Sequence, residues 1–299
     1  MFTQFFGSYL LNNKLVLPEQ LQEALEKNKE IRLKLGILAI NAGYMTAEQV
    51  DKVHNVQAIV DKRFGDIAVD MGYMTNSQVD ELLSSQKIGY LSLGQSLVDK
   101  GYMTNSQFEQ AINNYKKENK IECFLGNAEQ NEKIEEIINN FYNFKQLNDA
   151  AIYNEYVSLL FRNIVRFIGD DFIPMQSSTI HEFSSDWIAL QEIFGEFKSF
   201  IAIGCNEETF ISFASRFANE QYQGLDDYVK ASVGEFLNLH NGLFCVNMSN
   251  EREKELDLMP QQILYEKIIK SSNKSYLIPI YFHFGTVNFI IGSKAPSII

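Results

Sequence analysis

Four glycines at a constant interval constrain this chain more than any other feature. Gly7, Gly36, Gly65 and Gly94 lie 29 residues apart, each after a large apolar residue (Phe6, Leu35, Phe64, Leu93). Downstream of them, Gly43-Tyr44-Met45-Thr46, Gly72-Tyr73-Met74-Thr75 and Gly101-Tyr102-Met103-Thr104 keep the same interval. The first copy is degenerate at Lys14-Leu15-Val16-Leu17, but Gln20, Gln49, Gln78 and Gln107 hold the register. A fixed period of this size means one small unit used four times, and such units bury their apolar faces by stacking. The pattern ends near residue 117. The remainder needs a different architecture.

Within each copy the residues read as two short helices. Phe64, Ile67, Ala68 and Met71 recur at helical spacing, and Gly72 follows where a left-handed residue stops a helix. Thr75 then caps a second helix, with Gln78 three residues on, which makes a capping box. The same pairs recur as Thr46/Gln49 and Thr104/Gln107. Gly36, Gly65 and Gly94 are expected where the two helices approach closely.

The net charge of −12 provides no excess of cations to displace counterions from a phosphate backbone, so a nucleic-acid partner is not expected. Cys123, Cys205 and Cys245 are odd in number and far apart, which reads as reduced thiols in a cytoplasmic protein. The N-terminal residues lack the basic flank and apolar run of a signal peptide. No apolar run approaches the ~20 residues of a membrane helix. No membrane insertion and a cytoplasmic location are therefore expected.

The repeats also resemble a known module. Arg63-Phe64-Gly65, followed by Ala68, Val69, Gly72, Val79, Leu83 and Gln86, is similar to the cyclic-di-GMP-binding motif of the N-terminal domains of type II secretion and pilus ATPases (the MshE type). The resemblance implies that Arg63 and Gly65, and Lys34 and Gly36 in the preceding copy, contact a cyclic dinucleotide. The fourth copy has Ser92 at the arginine position. Binding of a partner protein by the repeat surface is the other reading.

Residues 118–148 read as a polar, helical connector with Ile134, Ile137, Ile138, Phe141 and Phe144 on one face, and Gly126-Asn127 as its break. From 149 the pattern changes. Tyr156, Leu159, Leu160, Ile164, Phe167 and Ile168 mark an amphipathic helix ending at Gly169. Strand-like stretches occupy 172–183, 187–194 and 197–203, with a turn at Gly195-Glu196; helices follow over 207–219 and 226–242. A last hairpin spans 275–284 and 286–291 around Gly285. The whole is expected to be a multidomain chain: all-α helix-pair repeats over 1–117, the connector, and an α+β domain over 149–299.

Along 226–242, Asp226 and Asp227 serve as helix caps. Ser232, Glu235, Asn238 and Gly242 share one stripe, whereas Val229, Val233, Phe236 and His240 share the stripe suited to the core. A carboxylate and a carboxamide thus stand one turn apart, away from the buried side. His54, His181, His240 and His283 are scattered and read as structural.

Ser232-Val233-Gly234-Glu235-Phe236-Leu237-Asn238, then Gly242 and Pro260, resembles the signature of the CheC/CheX/FliY phosphatase family, and the surrounding pattern over about 149–294 resembles its CheX-type member. The resemblance implies an aspartyl-phosphate phosphatase, a hydrolase acting on a phosphorylated CheY-like response-regulator receiver in chemotaxis or two-component signalling. Asn238 would position the attacking water, and Glu235 would contact the receiver's active-site lysine. Ser232, Leu239 and Gly242 would take part in docking. It implies no cofactor of its own, with Mg2+ carried by the receiver, and a possible homodimer through sheet edges. Two departures stand out: Ala231 occupies the position where the family has Asp or Ser, and Pro260 comes one residue early. A non-catalytic signalling adaptor and a cyclic-di-GMP receptor are the competing functions.

Overall fold

A computed structural model describes residues 2–26, 33–84, 89–118, 138, 141, 142, 144 and 149–299. The chain divides into two compact units, Phe2–Lys133 and Ile134–Ile299. Most of the expected connector, including Cys123, Gly126, Asn127, Ile134 and Ile137, lies outside the described residues. Of its apolar stripe, Ile138 and Phe144 are buried and Phe141 is half-buried.

The first unit holds eight helices among its described residues: α1 (Phe2–Asn12), α2 (Pro18–Glu26), α3 (Leu35–Ala42), α4 (Ala47–Gln57), α5 (Phe64–Asp70), α6 (Asn76–Ser84), α7 (Gly89–Asp99) and α8 (Asn105–Glu118). The expected caps are present. Thr46 N donates to Gln49 Oε1 at 2.9 Å while Gln49 N donates to Thr46 Oγ1 at 3.3 Å. Thr75/Gln78 and Thr104/Gln107 repeat both bonds. The degenerate first copy keeps half of the box: Leu17 N donates to Gln20 Oε1, but Leu17 has no hydroxyl to return the bond. Gly43, Gly72 and Gly101 adopt φ of 72°, 70° and 71°, the left-handed stop that a side chain would strain.

The copies do not pack in chain order. α1 and α2 lie on α7, and equivalently α3 and α4 lie on α5, so copy one pairs with copy four and copy two with copy three. The two pairs share their polar contacts: Tyr44 donates to Glu81, and its equivalent Tyr102 donates to Glu23. Copies two and four then join the pairs, through α3 with α7 and α8 and through α4 with α8. Lys34–Asp99 (2.6 Å), Asn105–Asp51 (2.7 Å) and Lys116 Nζ–Asn41 O (2.6 Å) all cross that joint. The order is therefore one–four–two–three. The contact between copies two and three is self-complementary. A Cβ on Gly36 would lie 3.4 Å from the Phe64 ring, and one on Gly65 would lie 3.2 Å from Leu35, so the large-residue–glycine steps of copies two and three face each other.

The second unit places α9 (Ala150–Phe167), α10 (Glu207–Ala218) and α11 (Asp227–Arg252) with seven strands: β1 (Phe172–Pro174), β2 (Ser178–Gly195), β3 (Ser199–Cys205), β4 (Leu256–Leu258), β5 (Gln262–Phe282), β6 (Gly285–Gly292) and β7 (Ser297–Ile298). The sheet order is β1-β5-β6-β3-β2-β4, all antiparallel, with β7 on β5. β5 also pairs with β2, so the ladder β5–β6–β3–β2 closes on itself. Ile188, Leu190, Phe200, Ala202, Ile269 and Ile290 fill the inside of that closure. Gly204 and Gly292 admit the rings of Phe183 and Phe200, which would stand 2.2 Å from any added Cβ.

Two expectations needed correction here, and one strand was not foreseen. The stretches 172–183 and 187–194 are not separate strands: β1 ends at Pro174 and β2 runs unbroken over Ser178–Gly195. The segment 262–274, which lacks clear alternation, forms the first half of β5 because β2 supplies its ladder partner. The helix expected to end at Gly242 continues to Arg252, since Phe244 and Met248 extend its buried stripe.

The other face of the sheet carries the helices. Trp187 packs on Phe210 of α10 at 5.9 Å between ring centroids. Phe213 of α10 meets Phe236 of α11 at 5.0 Å. Arg216 makes two bonds to Asp171 (2.5 and 2.8 Å) and lies over Phe284, fastening α10 to the start of β1 and the β5–β6 turn. Burial alone would raise the Asp171 carboxyl, but the Arg216 hydrogen bond and charge outweigh it and hold its pKa below the ordinary value.

A candidate active site on the long helix

α11 begins where the sequence places its cap: Val229 N donates to Asp226 Oδ1 at 2.9 Å. Its apolar stripe then sets its rotation. Val229, Val233, Phe236, Leu237 and His240 are all fully buried. Helical geometry turns the opposite stripe outward. Glu235 is exposed, Asn238, Leu239 and Gly242 are half-buried, and Leu243 is 38% exposed. Glu235 has no hydrogen bond or ion pair among the described residues. The carboxylate is therefore exposed on this face, with the half-buried carboxamide beside it.

Asn238 is held at its inner edge. Its Oδ1 accepts from Gln191 Nε2 at 2.9 Å. The same nitrogen donates to the Met259 carbonyl, also at 2.9 Å. Gln191 Oε1 accepts from Asn241 Nδ2 (2.8 Å), and Asn241 Oδ1 accepts from the Tyr156 hydroxyl (2.7 Å). A row of polar groups thus links α9, α11 and β2. Sequence reasoning missed Gln191, Asn241 and Tyr156. The available signal was positional: Trp187, Ala189, Gln191 and Ile193 alternate on one face of β2, and an amide among such residues needs a buried partner.

Pro260 lies in the turn between β4 and β5, next to Met259, whose N–H donates to Glu192 O at 3.0 Å. On its other side Gln261 packs over Gly234, whose added Cβ would stand 3.1 Å away. The Met259–Gln261 turn therefore borders the Asn238 edge of the helix. Ala231 is exposed. Ser232 turns its hydroxyl onto its own helix, donating to Tyr228 O at 2.8 Å, and lies 3.3 Å from the Tyr222 hydroxyl. Gly242 has open space where a Cβ would stand, so packing within the unit does not require a glycine there.

His240 is fully buried, with Asn163 Nδ2 at 2.9 Å from its Nδ1 and Tyr156 packed edge-on at 4.5 Å. Burial depresses its pKa to about 3, so the ring is neutral at ordinary pH. Burial pushes the thiols of Cys205 and Cys245 up, and neither is a ready nucleophile.

In the first unit the residues singled out for nucleotide binding lie at the starts of α3 and α5. Lys34 sits at the start of α3 with its ammonium on Asp99. Arg63 is exposed at the start of α5. Gly36 and Gly65 are buried, and the space of their missing Cβ is taken by Val50 (2.8 Å) and Val79 (3.1 Å). Helix packing accounts for both glycines.

No family model matches the chain, and no curated protein matches it. Among solved structures, it is similar to a chemotaxis protein CheX from Desulfovibrio desulfuricans: 17% identity, 48% of this chain, 99% of that one, TM-score 0.43. A CheC-like superfamily protein from Shewanella sp. PV-4 has 17% identity, covering 47% of this chain and 95% of its own, at TM-score 0.41. The CheX–CheY–BeF3–Mg2+ complex from Borrelia burgdorferi has 16% identity over 47% and 96%, at TM-score 0.39. The similarity spans about half of this chain. No described helix is long and apolar enough to cross a membrane.

Proposed function

We propose that the second unit hydrolyses phosphoaspartate on a response-regulator receiver, with the helical first unit as a sensory or docking module. The observation that carries the reading is the pair on α11: Glu235 exposed and without a partner among the described residues, and half-buried Asn238 one turn on. An acyl phosphate is already activated, and a receiver brings its own Mg2+. What such a reaction lacks is an oriented water, and orientation alone is a large catalytic term. The Asn238 NH2 donates to the oxygen of that water and fixes its position. Glu235 pairs with a receiver lysine, which sets the docking angle and costs no internal ion pair.

Gly242 fits the same picture. A mid-helix glycine destabilises a helix by about 1 kcal/mol relative to alanine. No neighbour in the unit crowds it, so close approach of another backbone explains its presence.

The test follows the decay of a phosphorylated receiver with wild type and with Asn238→Ala. Wild type is expected to accelerate decay, and Asn238→Ala to lose about 100-fold of that acceleration. If wild type leaves every native receiver at its spontaneous rate while still binding it, the domain is an adaptor and the hydrolase reading is lost.

A further inference from the structure

We infer that Gln191 is a positioning residue for this site: it holds the Asn238 carboxamide with its oxygen turned into the protein and its NH2 turned outward. The inference rests on the proposed role of Asn238 as the water-orienting group. The direction of the whole row follows from one atom. The Met259 carbonyl oxygen can only accept, so the Gln191 atom 2.9 Å from it must be the NH2 nitrogen. That nitrogen also faces Asn238 at 2.9 Å, so the Asn238 atom opposite it must be the oxygen. The Gln191 oxygen then requires the Asn241 NH2, which leaves the Asn241 oxygen to take the Tyr156 proton. Burial keeps that phenol protonated and able to donate.

The row is closed at its inner end. Tyr156, Asn241 and Gln191 are 2%, 0% and 1% exposed. Both Gln191 amide protons and the bonded Asn241 atoms are committed. At the half-buried end of the row, the two protons on Asn238 Nδ2 have no hydrogen-bond partner among the described residues and face outward. Gln191 stands between the buried Ala189 and Ile193 on its face of β2, and its hydrogen bonds, not apolar packing, distinguish it from them. A buried polar row of this kind contributes orientation more than stability.

The experiment uses Gln191→Met in the full-length chain, which keeps the volume and removes the donor. With a phosphorylated receiver, kcat is expected to fall about 10-fold with KM within twofold of wild type, because the Glu235 contact is untouched. Tyr156→Phe, which cuts the row at its far end, is expected to lower kcat about threefold by the same route. Gln191→Met with wild-type kcat overturns the inference. So does a loss that appears in KM alone.

A second readout needs no turnover. In proton–nitrogen spectra of the wild type, the Gln191 side-chain amide protons are expected to exchange slowly with water and those of Asn238 quickly. The reverse pattern overturns the inference even if Gln191→Met does not fold. If Asn238→Ala abolishes activity and Gln191→Met does not, the positioning role fails alone. If wild type itself is inactive, the proposed function fails, and the spectra still decide the orientation.

Discussion

Gln49, Gln78 and Gln107 in the first unit and Gln191 and Asn238 in the second carry the same carboxamide, yet they are used in opposite ways. Each glutamine of the first group bonds to the backbone three residues away, closing a helix cap. Gln191 finds its partners 47, 50 and 68 residues away, across a sheet–helix junction. The first group recurs at every period because every helix pair needs the same start. The second occurs where β2 runs beneath α11. The glycines divide likewise. Gly36, Gly65 and Gly94 are filled by neighbours, whereas Gly242 opens to space. Repetition in this chain marks architecture, and the unrepeated polar residue without a local partner marks the proposed site.

The sharpest way to break that comparison is Glu235→Ala. It is expected to lower kcat/KM for receiver dephosphorylation about 100-fold while urea unfolding shifts by less than ~0.5 kcal/mol, since the side chain is exposed and unpaired. A large stability loss would make Glu235 architectural. Gly94→Ala should do the opposite. Its Cβ would stand 2.2 Å from the buried Phe108 ring, so the first unit is expected to lose about 2 kcal/mol with phosphatase kinetics unchanged.

The buried His240 provides a third test, confined to the second unit. Its native pKa of about 3 lies below the unfolded value near 6.5. Above about pH 6.5 neither state binds the proton, and His240 leaves stability independent of pH. As pH falls below that value the unfolded chain takes up a proton that the native ring refuses. Stability is then lost at about 1.4 kcal/mol per pH unit until pH approaches 3. His240→Leu is expected to make the slope between pH 6 and 4 shallower by that amount, as read from urea midpoints. An unchanged slope would mean that the ring is solvated. The smallest effect is expected from Thr46→Ala, at about 1 kcal/mol, with the equivalent changes at Thr75 and Thr104 costing similar amounts. Unequal costs would show that the copies are not energetically equivalent.

Much of the first unit was legible before any coordinates. Helix stops at Gly72 and its equivalents and caps at the Thr/Gln pairs are decided within four residues. Their partners are therefore neighbours in the chain. The pairing of copy one with copy four was not legible, because all four copies carry the same Gly face and a repeated face does not say which copy it meets. In the second unit, the alternation of Asp226 capping, buried Val229/Val233/Phe236 and outward Glu235 could be counted directly. The long β5 could not, because its first half gains its ladder only when β2 bends back along it. Nor could the surroundings of Asn238. Chain spacing turned its side chain toward the outer stripe, but only the register of β2 beneath α11 brought Gln191 under it.

By itself, the amino-acid order determined that this chain repeats a capped helix pair four times and later presents an acid and an amide on one face of a helix. These are consequences of periods of three to four residues, over which backbone geometry leaves little freedom. The tertiary structure decided which copies meet, where the sheet closes and which way the Asn238 amide is turned. Those outcomes depend on groups distant in sequence, whose hydrogen bonds and buried contacts form only once strand register and helix docking have brought them within reach.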